Sequence, residues 1–285
     1  MQIDLHTHSY FSDAEYSPEE VIAEAKKRKV SILSITEHNF IPETEIIKEY
    51  AKKNNIVFIE GIEISTVWRI LGSTTSLHVL GYGKKLDSGL LNKSLKKTID
   101  GYNNRACAII DKLNKAFPEL ALDFQSLKVN SKEAYVSRNT LARLLVEHFK
   151  NTLSIEEVLK QYVFVEEDDS WMMTPEESFK LITTAGGVPI LAHSGRELRK
   201  MGLIEYEKMV VGFVEAGLLG LEVYYSKHTN KETDTIKHTA NKFKLYITGG
   251  SDWHGRTYTP EIEIGRELQA EDVAAFLSDK RIGVL

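Results

Sequence analysis

The sequence predicts an α/β fold, a parallel β/α barrel of seven strands with a helical insertion. Three observations lead there. Short apolar runs alternate with longer stretches of helical period, the alternation breaks once and then resumes, and the length of 285 residues is close to that of a single α/β barrel. Hydrophobic residues make up 42% of the chain, enough for a substantial core.

Gln2–Leu5, Ser31–Thr36, Ile56–Ile62 and Leu77–Tyr82 read as the first four strands, with helices at Pro18–Arg28 and Thr44–Lys53. Ser17 precedes Pro18 and stands three residues before Glu20, a capping-box arrangement that marks a helix start. The pattern resumes with a helix at Pro175–Ala185, a strand at Val188–Ala192, a helix at Glu205–Ala216, a strand at Gly220–Tyr224, a helix at Lys231–Phe243 and a strand at Leu245–Thr248. Between these blocks lie a long amphipathic helix around Leu90–Ala116 and shorter ones near Thr140–Phe149 and Ile155–Tyr162. The expected organisation is a barrel formed by residues 1–84 and 171–285, with 85–170 inserted as a helical cap; no Gly/Ser/Pro-rich linker flanks the insert.

The formal net charge of -5 offers no general attraction for polyanions, so long duplex nucleic acid is not an expected partner. Cys107 is the one cysteine, which excludes an internal disulfide and thiolate-rich metal sites and fits a reducing compartment. The N-terminal MQIDLHTH lacks a basic segment followed by an apolar stretch, and no run approaches the ~18 apolar residues of a membrane span. A soluble, unprocessed, cytoplasmic protein is expected.

In a parallel barrel the strand C-termini converge on one rim, and the chemistry-bearing residues fall there. His6 and His8 end the first strand, His38 follows the second, Glu63 the third, His193 the fifth, and Asp252 and His254 the seventh, while His78 lies in the fourth. Each alone has a plainer reading. A lone HxH is more often incidental than ligating, Asp252 and His38 suit turns or helix caps, and His78 suits a satisfied core histidine. Glu63 sits in the apolar Gly61–Ile64, where burial without partners costs several kcal/mol. Jointly they point to a metal cage of nitrogen and oxygen donors, suited to Mn²⁺, Fe²⁺ or Zn²⁺.

His6-Thr7-His8, Ser12-Asp13, Thr36-Glu37-His38-Asn39, Gly61-Ile62-Glu63, Ala192-His193-Ser194-Gly195 and Gly250-Ser251-Asp252-Trp253-His254-Gly255 resemble, in order, the motif series of the polymerase and histidinol phosphatase (PHP) family. The resemblance implies a distorted seven-stranded β/α barrel with three divalent ions. It assigns one ion to His6, His8, Glu63 and Asp252, a second to Glu63, His78 and His193, and a third to Asp13, His38 and His254. Two positions depart from the pattern. Glu37 replaces an aspartate, an outer-layer residue whose extra methylene is expected to shift His38 and weaken the third site, and Ala14 stands where glycine is common.

Three divalent ions against Asp13, Glu63 and Asp252 leave a site of about +3 that prefers an anion and acidifies water, which suits phosphate ester hydrolysis; amide hydrolysis is chemically open too, and the resemblance decides for the phosphate ester. Arg138 and Arg143, near a helix start in the insert, and Arg196, beside the His193 motif, are candidate phosphate holders. Arg143 fits a solvated helix face equally well, and His228, a candidate phosphate contact or general acid, fits a plain loop histidine. The Ser137–Arg143 segment also resembles the insert of a family subgroup acting on nucleotides, which removes the 3′-phosphate from nucleoside 3′,5′-bisphosphates or trims short RNA from its 5′ end. The expected substrate is therefore a small phosphorylated compound, a nucleotide. The alternatives are a 5′-3′ exonuclease on short oligonucleotides, a histidinol-phosphate phosphatase, and a non-catalytic metal-binding regulatory module.

Overall fold

The computed structural model describes residues 1–70, 73–130, 132–165 and 169–285. Its elements in chain order are β1 (Gln2–Asp4), α1 (Pro18–Lys27), β2 (Ile32–Leu33), α2 (Glu45–Lys53), β3 (Val57–Phe58), β4 (Glu60–Ile70), β5 (Ser73–Gly83), α3 (Ser88–Ala116), a 3-10 turn (Pro118–Leu120), α4 (Phe124–Asn130), α5 (Arg138–His148) and α6 (Ile155–Gln161). There follow α7 (Pro175–Thr184), β6 (Val188–Leu191), α8 (Gly195–Glu215), β7 (Gly220–Tyr225), α9 (Asn230–Lys242), β8 (Tyr246–Gly250), β9 (Arg266–Glu267) and α10 (Ala270–Leu277). Ser17, Ser154, Thr174 and Thr229 each open a helix with a full capping box, a contribution of about 1 kcal/mol apiece.

The strands do not form one parallel sheet. They form two mixed sheets, in the orders β3-β2-β1-β9 and β4-β5-β6-β7-β8. β1, β2 and β3 run parallel, as do β6, β7 and β8. β5 is antiparallel to both β4 and β6, and β9 to β1. The segment expected to be one strand at Ile56–Ile62 is divided between β3 in one sheet and β4 in the other. β4 then runs on to Ile70, leaving too little chain before β5 for the crossover of about a dozen residues that parallel pairing needs. A hairpin is the remaining solution, registered from Glu60↔Gly83 to Ile70↔Ser73.

The two sheets meet along two backbone seams. At the first, Leu5 N–H donates to Gly249 O (3.1 Å), Asp252 N–H to His6 O (2.7 Å) and His8 N–H to Trp253 O (3.0 Å). At the second, Glu63 N–H donates to Glu37 O (3.0 Å) and Asn39 N–H to Glu63 O (2.9 Å). A glycine permits each approach. A Cβ on Gly250 would lie 2.5 Å from His6 N, and one on Gly61 2.2 Å from Ser34 Oγ.

Strand alternation divides the core. Ile62, Ile64, Leu77 and Val79 pack under Phe179 of α7, Phe213 of α8 and Ile236 of α9. On the opposite faces Leu80, Tyr82 and Ile190 pack with Ile3, Leu5 and Phe276 of α10. Full burial of such a side chain stabilises by roughly 1.5–3 kcal/mol. Glu63 and His78 share this second face, above the apolar layer. The α3–α6 segment has an apolar cluster of its own, in which Ile109 and Leu113 of α3 meet Leu141 and Leu145 of α5 and Val158 of α6.

α4 and α10 were not anticipated; the ends of the anticipated helices agree with the sequence reading to within about two residues, except in α8. That helix starts at Gly195 rather than Glu205, with non-helical backbone at Gly202 (φ 76°), so only its second half carries an uninterrupted helical pattern. Among the described residues no helix is long and apolar enough to cross a membrane.

Candidate metal centre

The seams that join the sheets also deliver the side chains. His6 and His8 flank Thr7 just past β1, His38 follows β2, Glu63 lies within β4, His78 within β5, His193 follows β6, and Asp252 and His254 follow β8. All nine predicted cage residues, Asp13 included, converge. Glu63 is at the middle. Its Oε1 lies 3.3 Å from His6 Nε2, 2.8 Å from His78 Nδ1 and 3.2 Å from His193 Nε2, and its Oε2 lies 3.3 Å from His8 Nε2 and 3.0 Å from His38 Nδ1. Asp252 Oδ1 stands 3.4 Å from His6 Nε2 and 3.2 Å from His8 Nε2. Asp13 Oδ1 stands 3.1 Å from His254 Nε2 and 3.7 Å from His38 Nε2.

Among the described residues, three groups have donor atoms within 4.8 Å of one another: His6, His8, Glu63 and Asp252; His38, Glu63 and His78; and His8, Asp13, His38 and His254. The first is the quartet that the resemblance implies. In the second His38 stands where His193 was expected, although His193 touches the same Glu63 oxygen, and the third gains His8. The donors fit divalent ions on a further observation: His6 Nε2, His8 Nε2, Asp13 Oδ1, His38 Nδ1 and Glu63 Oε2 are buried with no hydrogen-bond partner. Buried polar atoms left unpaired cost free energy, and all five belong to the groups whose donor atoms lie close enough together to share an ion. The backbone is strained in the same place, with left-handed φ at His193 (28°), Asp252 (58°) and Asn39 (57°).

Electrostatics without metal show the same complementarity. Burial pushes the Glu63 carboxyl up, but His6, His78 and His38 reverse this and hold it well below the usual range. Burial likewise raises Asp13, and His254 and His38 more than offset it. Burial lowers the His8 imidazole, yet hydrogen bonding to Asp252 and Glu63 pushes it up to about 10. His6, also penalised by burial, is raised well above its ordinary value by Glu63, Glu222 and Asp252. In His78 burial prevails and the shift is downward. At His6 and His8 the metal-free cage thus favours protons where cations would sit.

Residues behind the cage orient it. Glu222 Oε1 lies 3.0 Å from His6 Nδ1, and Oε2 accepts the His193 N–H at 2.8 Å. The fully buried Asp4 accepts from the N–H groups of Ser251 (2.9 Å), Gly265 (2.7 Å) and His6 (3.2 Å). Glu37, also fully buried, does not reach towards His38. Its carboxylate accepts from the Ser9 hydroxyl and from Ser12 Oγ at 2.5 Å, and Ser12 Oγ lies 3.3 Å from His8 Nδ1. Neither Glu222 nor Asp4 was anticipated. Glu222 carried a usable signal, a carboxylate inside the apolar strand Gly220–Tyr224, the same signal that marked Glu63.

The anticipated substrate residues differ in placement. Arg138 lines a cavity of about 360 Å³ that also includes Asp13, His38 and His78, while its guanidinium donates to Val163 O (2.8 Å) and Leu159 O (3.1 Å). Arg143 is not a solvated helix face. It donates to the Asp13 carbonyl and lies over the Tyr258 ring at 3.5 Å. Arg196 pairs with Glu197 and donates to the carbonyl of Ser76, a cavity residue. His228 has both ring nitrogens engaged with backbone, Nδ1 3.0 Å from Val223 O and Nε2 accepting from Gly195 N–H at 3.1 Å. That leaves it no free nitrogen for a phosphate or a general-acid role. Arg105, which sequence reasoning missed in a long amphipathic helix, lines the same cavity, 4.8 Å above the Trp171 ring. Tyr135, which also lines the cavity, stacks on Tyr102 with ring centroids 4.5 Å apart.

Comparison with known proteins adds three kinds of likeness. A family model described as "PHP domain" matches residues 4–154. The chain is 28% identical to the 5′-3′ exoribonuclease Rnm of Escherichia coli, covering 93% of this chain and 88% of that protein. It is 28% identical to a 3′,5′-nucleoside bisphosphate phosphatase of Chromobacterium violaceum, covering 88% of this chain and 87% of that one. A solved structure described as an amidohydrolase from Chromobacterium violaceum, with sulfate bound, superposes with a TM-score of 0.79 at 26% identity, covering 94% of this chain and 92% of that one.

Proposed function

The chain belongs to the PHP domain family and is a metal-dependent hydrolase of phosphate esters, and we propose that its substrate is a small nucleotide, a nucleoside 3′,5′-bisphosphate or monophosphate. One observation carries this reading: a single cavity of about 360 Å³ is lined both by the cage residues Asp13, His38 and His78 and by the guanidinium-bearing Arg105 and Arg138. Burial pulls both guanidiniums below their usual value, and at Arg138 the charge of Arg105 adds to it. Two partly desolvated cations lining one cavity favour an anion between or beside them. The stacked Tyr102 and Tyr135 supply an aromatic wall.

Three divalent ions, Mn²⁺, Fe²⁺ or Zn²⁺, would acidify water and neutralise the phosphoryl and leaving-group oxygens when bound. His6, His8, Glu63 and Asp252 would hold one. Glu63, His78 and His193, with His38 at hand, would hold a second, and Asp13, His38, His254 and His8 a third. Arg138 and Arg105 would grip the phosphate that is not cleaved, and Arg196, beside Ser76, would contact substrate at the cavity margin. Tyr225, whose hydroxyl burial and Asp252 keep protonated, donates to Asp252 Oδ2 at 3.1 Å and fixes that ligand. His228 would hold the Gly195 turn in place and thereby His193.

The test is a substrate panel offered to Mn²⁺-loaded protein with released phosphate as the readout. Nucleoside 3′,5′-bisphosphates and monophosphates should be turned over best. Silence on all of them, with turnover of histidinol phosphate, would remove the reading. A second reading, trimming of short oligonucleotides from the 5′ end, is favoured by the similarity to the E. coli protein. Stepwise shortening of a labelled oligonucleotide, faster than phosphate release from any mononucleotide, would support it.

A further inference from the structure

The inserted helix α5 reaches into the metal cage. Asn139 Nδ2 donates to Asp13 Oδ2 at 2.7 Å. That contact occupies one carboxylate oxygen and leaves the other, Oδ1, buried without a hydrogen-bond partner and 3.1 Å from His254 Nε2. Arg143 stands one turn along α5 on the same face. It donates to the Asp13 carbonyl oxygen and lies over Tyr258, in the loop that follows His254. The two loops are themselves laced: Glu15 N–H donates to His254 O at 3.0 Å, and Thr257 N–H and Oγ1 each donate to Glu15 at 2.9 Å. A second strut comes from just before the helix, where Ala134 N–H donates to Phe11 O at 2.9 Å.

A carboxylate that shares its oxygens between a donor and an ion has its rotamer and its aim fixed by the donor, and loss of such a donor typically costs 10–100-fold in metal affinity. We propose that Asn139 and Arg143 are positioning residues for the ion held by Asp13, His38 and His254, so that occupancy of that site and docking of α5 are thermodynamically linked. The proposal rests on the ligand assignment above. Because α5 begins at Arg138, whose side chain lines the substrate cavity, a phosphate gripped there tightens the same ion, and the ion tightens the phosphate by the same factor.

Titration of the whole protein with Mn²⁺ alone, without substrate, tests this. Asn139→Leu, which keeps size and removes the donor, should weaken one ion, the one held by Asp13, His38 and His254, by about 10–100-fold and leave the others unchanged. Arg143→Lys, a milder change that loses the fork reaching Asp13, should act in the same direction if Asn139→Leu does not fold. Glu147→Gln, at an exposed position on the same helix, should leave all metal affinities at their wild-type values. Unchanged binding of every ion in the folded variants would overturn the proposal. So would a uniform loss of every ion, or a wild-type protein that binds only two. Since no substrate is present, failure of the nucleotide reading would leave these affinities untouched.

Discussion

The Glu222 carboxylate lies 3.0 Å from Nδ1 of His6, and both side chains are fully buried. This carboxylate-histidine contact fixes the ring so that Nε2 faces Glu63 and Asp252. Glu222→Gln preserves volume and removes the charge. Metal affinity should fall by about 10–100-fold with little change in far-UV circular dichroism. Affinity equal to wild type would show that His6 is oriented by packing alone.

Glu63 touches five cage histidines, whereas Asp13 touches only His38 and His254. Glu63→Ala should therefore strip most bound metal and lower kcat by roughly 10²-fold or more. Asp13→Ala should remove only part of the metal. Elemental analysis of the two purified variants separates them, and equal metal content would contradict the bridging role.

Metal binding should release protons. Without metal, His8 holds its proton up to about 10 and His6 is raised well above the ordinary value of 6.5. At pH 7 an incoming ion must displace at least one proton, so apparent affinity should rise with pH. The stabilisation of the metal-free protein by protonated His8 is fully present below 6.5 and is lost as pH rises through about 10. Calorimetric titration in buffers of different ionisation enthalpy counts the protons, and a count of zero at pH 7 would contradict the charged cage.

Arg105→Ala and Arg138→Ala should each raise KM for a bisphosphate by roughly 10–100-fold, the value of one charged hydrogen bond, with metal content unchanged. Arg138→Ala also frees the carbonyls of Val163 and Leu159 and should lower thermal stability, whereas Arg105→Ala should not act through those carbonyls. Unaltered kinetics in both variants would remove the guanidiniums from the substrate site.

Eight of the nine cage residues were legible because donor types recurred in or just after short apolar runs that read as strands, and Asp13 through the motif resemblance alone. The mixed topology was not. Antiparallel pairing of β4 and β5 depends on where β3 stops and β4 begins, and Ile56–Ile62 reads as one continuous apolar run. Arg143 and His228 show another limit. Their partners, the carbonyl of Asp13 and the backbone of Val223 and Gly195, are main-chain atoms that leave no trace in residue type. Arg105 was hidden for the opposite reason, since an arginine on an amphipathic helix looks the same whether it faces solvent or a cavity.

The most direct test of a metal cage that hydrolyses phosphate esters is phosphate release followed against Mn²⁺ bound per chain, starting from metal-free protein. Activity is predicted to be absent in the metal-free state and to rise only as the cage fills, with Glu63→Ala flat throughout. Turnover by metal-free protein, or full metal binding by Glu63→Ala, would contradict the account.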